Sequence, residues 1–248
     1  MQIIINQIKI IDYDISINSK AIIESINDNK ICQDFMIFPE LSLTGFPTNQ
    51  NIDALWKESE TYFQEILSAS RNTQATIIIG HIEKHNQNFY NSCFFIKNSK
   101  VIHNHRKSKL WLDDVGIFSS GSHHSIIDIN GTNYGAQICF ELEFPEGSRA
   151  LSKQGAEVIF MPNGNMHPYG NVHYVLTQAR AIENQCFVIT CNRVGSGHGG
   201  DFVGESLVVS PTGEIIKKLS SNQEITTITI DLNEIEQSRN NYNYINLL

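Results

Sequence analysis

One cysteine in this chain stands where a nucleophile could be presented. The stretch Gly135-Ala136-Gln137-Ile138-Cys139 closes a strand read over Tyr134–Cys139, and Phe140-Glu141-Leu142-Glu143 forms an acidic turn before a helix opened by Pro145. A thiol at a strand-to-helix turn can stand clear of the backbone. It then lies near unpaired N–H groups and the positive end of the helix, which favour thiolate and oxyanion. A lone cysteine ending an apolar strand is ordinarily a buried structural thiol. Chemistry at Cys139 therefore requires a base and a positive charge from elsewhere in the chain.

Glu40 is a candidate base. The apolar run Phe35-Met36-Ile37-Phe38 leads straight into Pro39 and places Glu40 at its end, before Leu41-Ser42-Leu43-Thr44-Gly45-Phe46-Pro47. Apolar neighbours on both sides desolvate a carboxylate and push its pKa toward the range useful for proton transfer. The plain alternative is a carboxylate capping the turn near Thr44-Gly45. Positive charge comes from His103-Asn104-His105-Arg106-Lys107-Ser108-Lys109. Charge runs usually form a solvated face. On an extended segment, however, His103, His105, Lys107 and Lys109 share one side, with Asn104, Arg106 and Ser108 on the other.

Many short strands must position these groups. Further apolar, β-branched runs fall at Ile3–Ile10, Thr76–Gly80, Ser92–Ile96, Val101–His105, Ser125–Ile129, Val158–Met161, Phe187–Cys191, Ser206–Val209 and Thr226–Asp231. Helical patterns cover Ser19–Asn27, Asp53–Ser70, Pro145–Lys153 and Val172–Asn184, with Gly155 at the C′ position of the third. Turn residues at Asn98-Ser99 and Pro211-Thr212-Gly213 mark two hairpins. No Pro/Ser-rich linker interrupts the pattern, so residues 1–248 read as a single layered α/β domain. Ser238–Leu248 reads as an irregular tail that could cross to a partner subunit.

Composition narrows the function classes. A formal net charge of −8 over 248 residues offers no basic face for nucleic acid. No apolar run approaches the length of a membrane span, and the N-terminus lacks the pattern of a signal peptide. The five cysteines, Cys32, Cys93, Cys139, Cys186 and Cys191, show no Cys-x-x-Cys spacing, so the expectation is a reducing cytoplasm without disulfides. His103, His105 and His123-His124 cluster in sequence but form no His-Glu-x-x-His, and no metal or cofactor is expected. Gly195-Ser196-Gly197-His198-Gly199-Gly200 lacks the Gly-Lys-Ser/Thr of a phosphate loop and reads as a flexible loop.

Taken together and in order, Phe-Pro-Glu-Leu-x-Leu-Thr-Gly, His-Arg-Lys-x-x-Leu and Ile-Cys-x-Glu-x-x-Phe-Pro-Glu resemble the nitrilase (carbon–nitrogen hydrolase) superfamily, in its amidase-like branch. Asp14-x-x-x-Asn18, the helix Ala179-Arg180-Ala181-Ile182-Glu183-Asn184-Gln185, and Gly204-x-Ser206 with Pro211-x-Gly213 extend the resemblance along nearly the whole chain. It implies a four-layer α-β-β-α sandwich, a homodimer or higher homo-oligomer, and hydrolysis of a small aliphatic or ω-amino amide through a thioester. It also implies a triad of Glu40 as base, Lys107 and Cys139, with Lys107 and the backbone N–H of Phe140 holding the oxyanion. Lys109 competes with Lys107 for its role. A further family glutamate falls on Asp114, one methylene shorter, with Asp113 as the competing position. Glu143 takes a place where some members carry an arginine for a substrate carboxylate, so a neutral or cationic substrate is expected. Solvent exposure at the helix start is the alternative for Glu143. Asn163, Gly164 and Asn165 are expected to border the pocket. Hydrolysis of an N-carbamoyl amine is the alternative activity; nitrile hydrolysis and a fold that has lost catalysis stand behind it.

Overall fold

A computed structural model describes residues 1–29, 31, 34–241 and 243–247. Cys32 and the end of the expected tail, Leu248, lie outside the described residues. The elements run β1 (Gln2–Gln7), α1 (Ile15–Asp28), β2 (Phe35–Ile37), α2 (Ile52–Ala69), β3 (Thr76–His85), β4 (Asn88–Lys97), β5 (Lys100–Arg106), β6 (Ile127–Ile129) and β7 (Thr132–Ala136). They continue with α3 (Pro145–Lys153), β8 (Val158–Asn163), α4 (Gly170–Asn184), β9 (Phe187–Asn192), β10 (Val194–Gly197), β11 (Gly200–Val203), β12 (Leu207–Val209), β13 (Ile215–Lys218), β14 (Glu224–Thr229) and α5 (Asn233–Asn241).

Two six-stranded sheets result, ordered β14-β1-β2-β3-β4-β5 and β13-β12-β9-β8-β7-β6. Their centres are parallel: β1 with β2, β2 with β3, β7 with β8, and β8 with β9. Period-two alternation distributes the apolar side chains. Ile4, Met36, Ile77 and Ile79 face outward to Ile22 and Ile26 of α1 and Phe63 and Ile66 of α2. Ile3, Ile5, Phe35, Ile37 and Ile78 face inward and meet Tyr134, Phe160, Phe187 and Ile189 of the second sheet. On its far side Ile159, Met161, Val188, Leu207 and Val209 pack on Leu151 of α3 and Ala181 of α4. Three apolar seams thus separate four layers, helix, sheet, sheet and helix. Both sheet faces are covered, which is why the central strands read as continuous apolar runs. Phe160 in the middle seam packs with its ring centroid 4.9 Å from that of Phe35, the rings tilted by 41°; burying such a side chain contributes about 2 kcal/mol.

Local signals set several boundaries. Asp14 caps α1 by accepting the Ile17 N–H at 3.0 Å. Gly155 ends the α3 segment with φ of +98°, as expected of a C′ glycine. Other expectations are corrected. The strand read as Tyr134–Cys139 stops at Ala136, and Cys139 instead opens a 3₁₀ turn, Cys139–Glu143. The glycine-rich stretch read as a flexible loop pairs as β10 and β11, with Val194 opposite Val203. The expected irregular tail begins inside α5. Among the described residues no helix is long and apolar enough to cross a membrane.

Candidate active site

Chain direction gathers the site. Glu40 follows β2, Cys139 follows β7, and Asn163 ends β8 with Gly164 just beyond it. Each stands past the carboxyl end of a strand from a parallel region, where open α/β sheets leave a crevice. Lys107 enters from the end of β5, where its N–H donates to the Asn91 carbonyl at 2.8 Å.

The Glu40 turn is pinned from several sides. Its N–H donates to Asn163 O at 3.3 Å, across the interface between the sheets. Asn18 Nδ2 donates to Leu43 O at 3.0 Å and to Ile11 O at 2.8 Å, tying the turn to the start of α1. Gly80 permits the turn to lie against β3: a Cβ there would sit 2.5 Å from Leu41 N and 2.7 Å from Glu40 Cα. Leu41, at φ +45°, and Cys139, at φ +46°, both hold the left-handed conformation that non-glycine residues disfavour. Such strain concentrates where the surroundings over-determine a functional turn.

The side chains converge. Lys107 Nζ lies 2.6 Å from Glu40 Oε1 and 2.7 Å from Asp114 Oδ2. Asn91 Nδ2 also donates to Glu40 Oε1, at 2.7 Å. Glu40 Oε2 is buried with no hydrogen-bond partner, so one oxygen of the base is anchored and the other free. Burial raises the Glu40 pKa, with the Asp114 charge adding to it and Lys107 and Asn91 opposing. Burial also pushes the Cys139 thiol well up; the neighbouring Glu40 carboxylate adds to this, while Lys107 and the Gly164 N–H oppose it. Burial lowers the Lys107 pKa, but the Asp114 and Glu40 carboxylates outweigh it, raise the pKa and hold the lysine charged. The resting site therefore holds a neutral thiol beside an ammonium.

These residues border a cleft, together with Phe46, Trp111, Asp113, Phe140, Glu143, Gly164, Asn165, Tyr169, His173 and His198. The turn-capping alternative for Glu40 and the wholly solvent-facing one for Glu143 are not what the structure shows. Lys109 is exposed, with Nζ 5.1 Å from the Phe144 ring centroid, and only Lys107 meets Glu40. Asp114 is buried on Lys107, whereas Asp113 is exposed at the rim. Gly164 closes against the base: a Cβ would fall 2.4 Å from Phe46 Cζ and 3.0 Å from Glu40 Oε2. Asn163 lies behind the wall, with Nδ2 3.3 Å from His173 Nδ1. The expected alternation holds through Arg106, since Asn104 and Arg106 both donate to Glu83. It fails at Ser108, which lies past the strand and turns to Glu141.

The Ile-Cys-x-Glu motif contains Glu141 without giving it a role, and no sequence motif points to Asn91 or His173. Glu141 accepts the Ile138 N–H at 2.6 Å, the Ser108 N–H at 2.9 Å and hydroxyl at 2.5 Å, and faces His105 Nε2 at 2.7 Å. One carboxylate thereby joins the residue before Cys139 to the residue after Lys107. Burial would raise its pKa, but His105 and the Ser108 hydrogen bonds prevail and hold it down at about 2. Its signal in the sequence was a glutamate three residues after Ile138, the spacing of a capping box.

The Carbon-nitrogen hydrolase family model matches residues 5–240. An (R)-stereoselective amidase of Pseudomonas sp. is 34% identical over 235 residues, covering 94% of this chain and 84% of that protein. The 2-oxoglutaramate amidase of Bacillus subtilis (strain 168) is 31% identical over 211 residues, covering 83% of this chain and 81% of that one. The crystal structure of an amidase from Nesterenkonia sp. superposes with a TM-score of 0.87 at 20% identity, covering 100% of this chain and 96% of its own. With its sheets, its gathered glutamate, lysine and cysteine and these likenesses together, the chain belongs to the carbon–nitrogen hydrolase, or nitrilase, superfamily.

Proposed function

We propose that this protein hydrolyses a small carboxamide to a carboxylate and ammonia through a thioester on Cys139. The observation that carries the reading is the divided Glu40 carboxylate. One oxygen is fixed by Lys107 and Asn91, the other is buried without a partner, and the carboxylate neighbours the Cys139 thiol. Glu40 Oε2 takes the thiol proton as Sγ attacks the amide carbon. The oxygen that gains the electron pair is held by the Lys107 ammonium and the Phe140 N–H. As the tetrahedral species collapses, Glu40 returns the proton to the departing nitrogen, the C–N bond breaks and ammonia leaves. A water molecule, deprotonated by Glu40, then attacks the thioester. The C–S bond breaks and Cys139 regains its proton as the carboxylate departs. Asp114 keeps Lys107 charged and in place throughout.

The named activities of the Pseudomonas and Bacillus relatives support amide hydrolysis. Ammonia release from valeramide by the parent protein and by Cys139→Ala provides the test. Turnover by the parent and its loss in the variant are expected. Equal rates in both would sink the thioester reading.

A further inference from the structure

The cleft carries a charge imbalance that amide chemistry alone does not require. Glu40, Asp113, Asp114 and Glu143 border it, against Lys107 as the only lysine or arginine among the described lining residues. Lys107 is already committed to Glu40 and Asp114. Glu143 has no such partner. Arg180, the guanidinium beside it, donates to the Leu142 carbonyl at 3.0 Å and the Glu143 carbonyl at 3.1 Å, leaving the carboxylate free. The group in ion-pair range of that carboxylate is His173, whose Nε2 is 3.8 Å away. Burial, aided by the Lys107 charge, lowers the His173 pKa to about 4, so the imidazole is neutral near pH 7.

Three aromatic rings stand in the same wall. Trp111 packs edge-on to Phe140 at 5.0 Å and to Tyr169 at 5.4 Å, with interplanar angles of 81° and 68°. All three border the cleft with Glu143. Rings set at steep angles in the same cleft as an uncompensated carboxylate suit an organic ammonium, which gains from ring faces and from the charge. A carboxylate-bearing substrate would meet like charge, with no lysine or arginine among the described lining residues besides the committed Lys107 to receive it.

We infer that the acyl part of the substrate carries a protonated amine, received by Glu143 within the Trp111–Phe140–Tyr169 wall while its amide carbon sits at Cys139. This rests on the amide-hydrolase reading above and names the substrate class for it: a cationic amino amide. Cys139 and Glu143 lie four residues apart in a 3₁₀ turn, about 8 Å along its axis. That spacing favours a short chain between carbonyl and ammonium.

A matched series separates the possibilities: γ-aminobutyramide as the cation, valeramide as its neutral isostere, and the monoamide of glutaric acid as the anion. The parent should show a kcat/KM for the cation about tenfold above valeramide, with the anion lowest. In Glu143→Gln the ratio of cation to neutral amide should fall to about one. Equal turnover of cation and isostere by the parent, or an unchanged ratio in Glu143→Gln, overturns the inference while leaving amide hydrolysis standing. If the parent hydrolyses none of the three, the hydrolase reading fails instead. Calorimetry with Cys139→Ala then decides the inference separately. Tighter binding of γ-aminobutyramide than of valeramide upholds it, and equal or absent binding of both overturns it.

Discussion

Glu40 can serve as base and acid in turn only if its proton-carrying oxygen stays at the thiol. Lys107 and Asn91 provide this by occupying Oε1 and leaving Oε2 without a partner. A glutamine there keeps the shape and loses the proton exchange. Glu40→Gln is expected to lower kcat by about a thousandfold, with circular dichroism unchanged. The pH profile should report the same group. Burial raises its pKa above the ordinary 4.5. Activity needs the ionised form, so kcat/KM should fall on acidification with an apparent pKa above 4.5, and an acid limb at or below 4.5 would contradict the assignment. Gly164 bears on the same oxygen. An alanine methyl would press on Phe46 and Glu40 Oε2, so Gly164→Ala should cost about tenfold or more in kcat while the chain still folds. A fully active variant would show that the wall does not fix the base.

Two loops, after β5 and after β7, must keep a fixed separation for Lys107 and Cys139 to meet one substrate. The Glu141 carboxylate spans them, accepting N–H groups from Ile138 and Ser108. In Glu141→Gln one amide NH₂ would face a donor, leaving a buried polar group unsatisfied at a cost of about 2 kcal/mol. The expected result is a lower thermal midpoint and a fall in kcat greater than any rise in KM, because both loops shift relative to a bound amide. A change in midpoint with intact kcat would make Glu141 structural only. This bridge also marks how far the elements were legible. The Glu40 strand was readable because an apolar run stops at Pro39, and α3 because Pro145 opens it and Gly155 closes it. The bridge made by Glu141 was not, because Ser108 and His105, its partners on the other loop, are 33 and 36 residues away in sequence. The β10–β11 hairpin is rich in glycine and shows no alternation, and α5 buries only Ile235 and Ser238, so neither carried a strong periodic signal. The Asn163 side chain was misdirected for a related reason: sequence position placed it on the right loop, but only the fold shows that it turns to His173.

Across the molecule, the four layers are held by seams of apolar side chains, and one polar ring is enclosed in the outermost. His81 of β3 is 1% exposed, its ring stacked 4.8 Å from Phe63 of α2, with neither nitrogen hydrogen-bonded. Burial lowers its pKa from 6.5 to about 3. The sign of the consequence follows from proton counting. Between about 6.5 and about 3 the unfolded chain binds a proton that the folded chain refuses, so stability rises with pH in that window. The contribution is fully present above 6.5 and is lost as the pH falls toward 3. Carboxylates such as Glu141, held at about 2, begin to cost stability only below their unfolded value of 4.5. The first loss of stability, near pH 6, therefore comes from buried imidazole, with His173, lowered to about 4, acting in the same direction. Replacing His81 with leucine removes its share while keeping an apolar side chain of similar volume in the seam. Unfolding by urea between about pH 7.5 and about pH 5 measures the difference. At one pH unit below 6.5 the parent should have lost about 1.4 kcal/mol more than His81→Leu, relative to each protein's value at neutral pH. Parallel stability profiles for the two proteins would mean that His81 takes up its proton without unfolding the layer that encloses it.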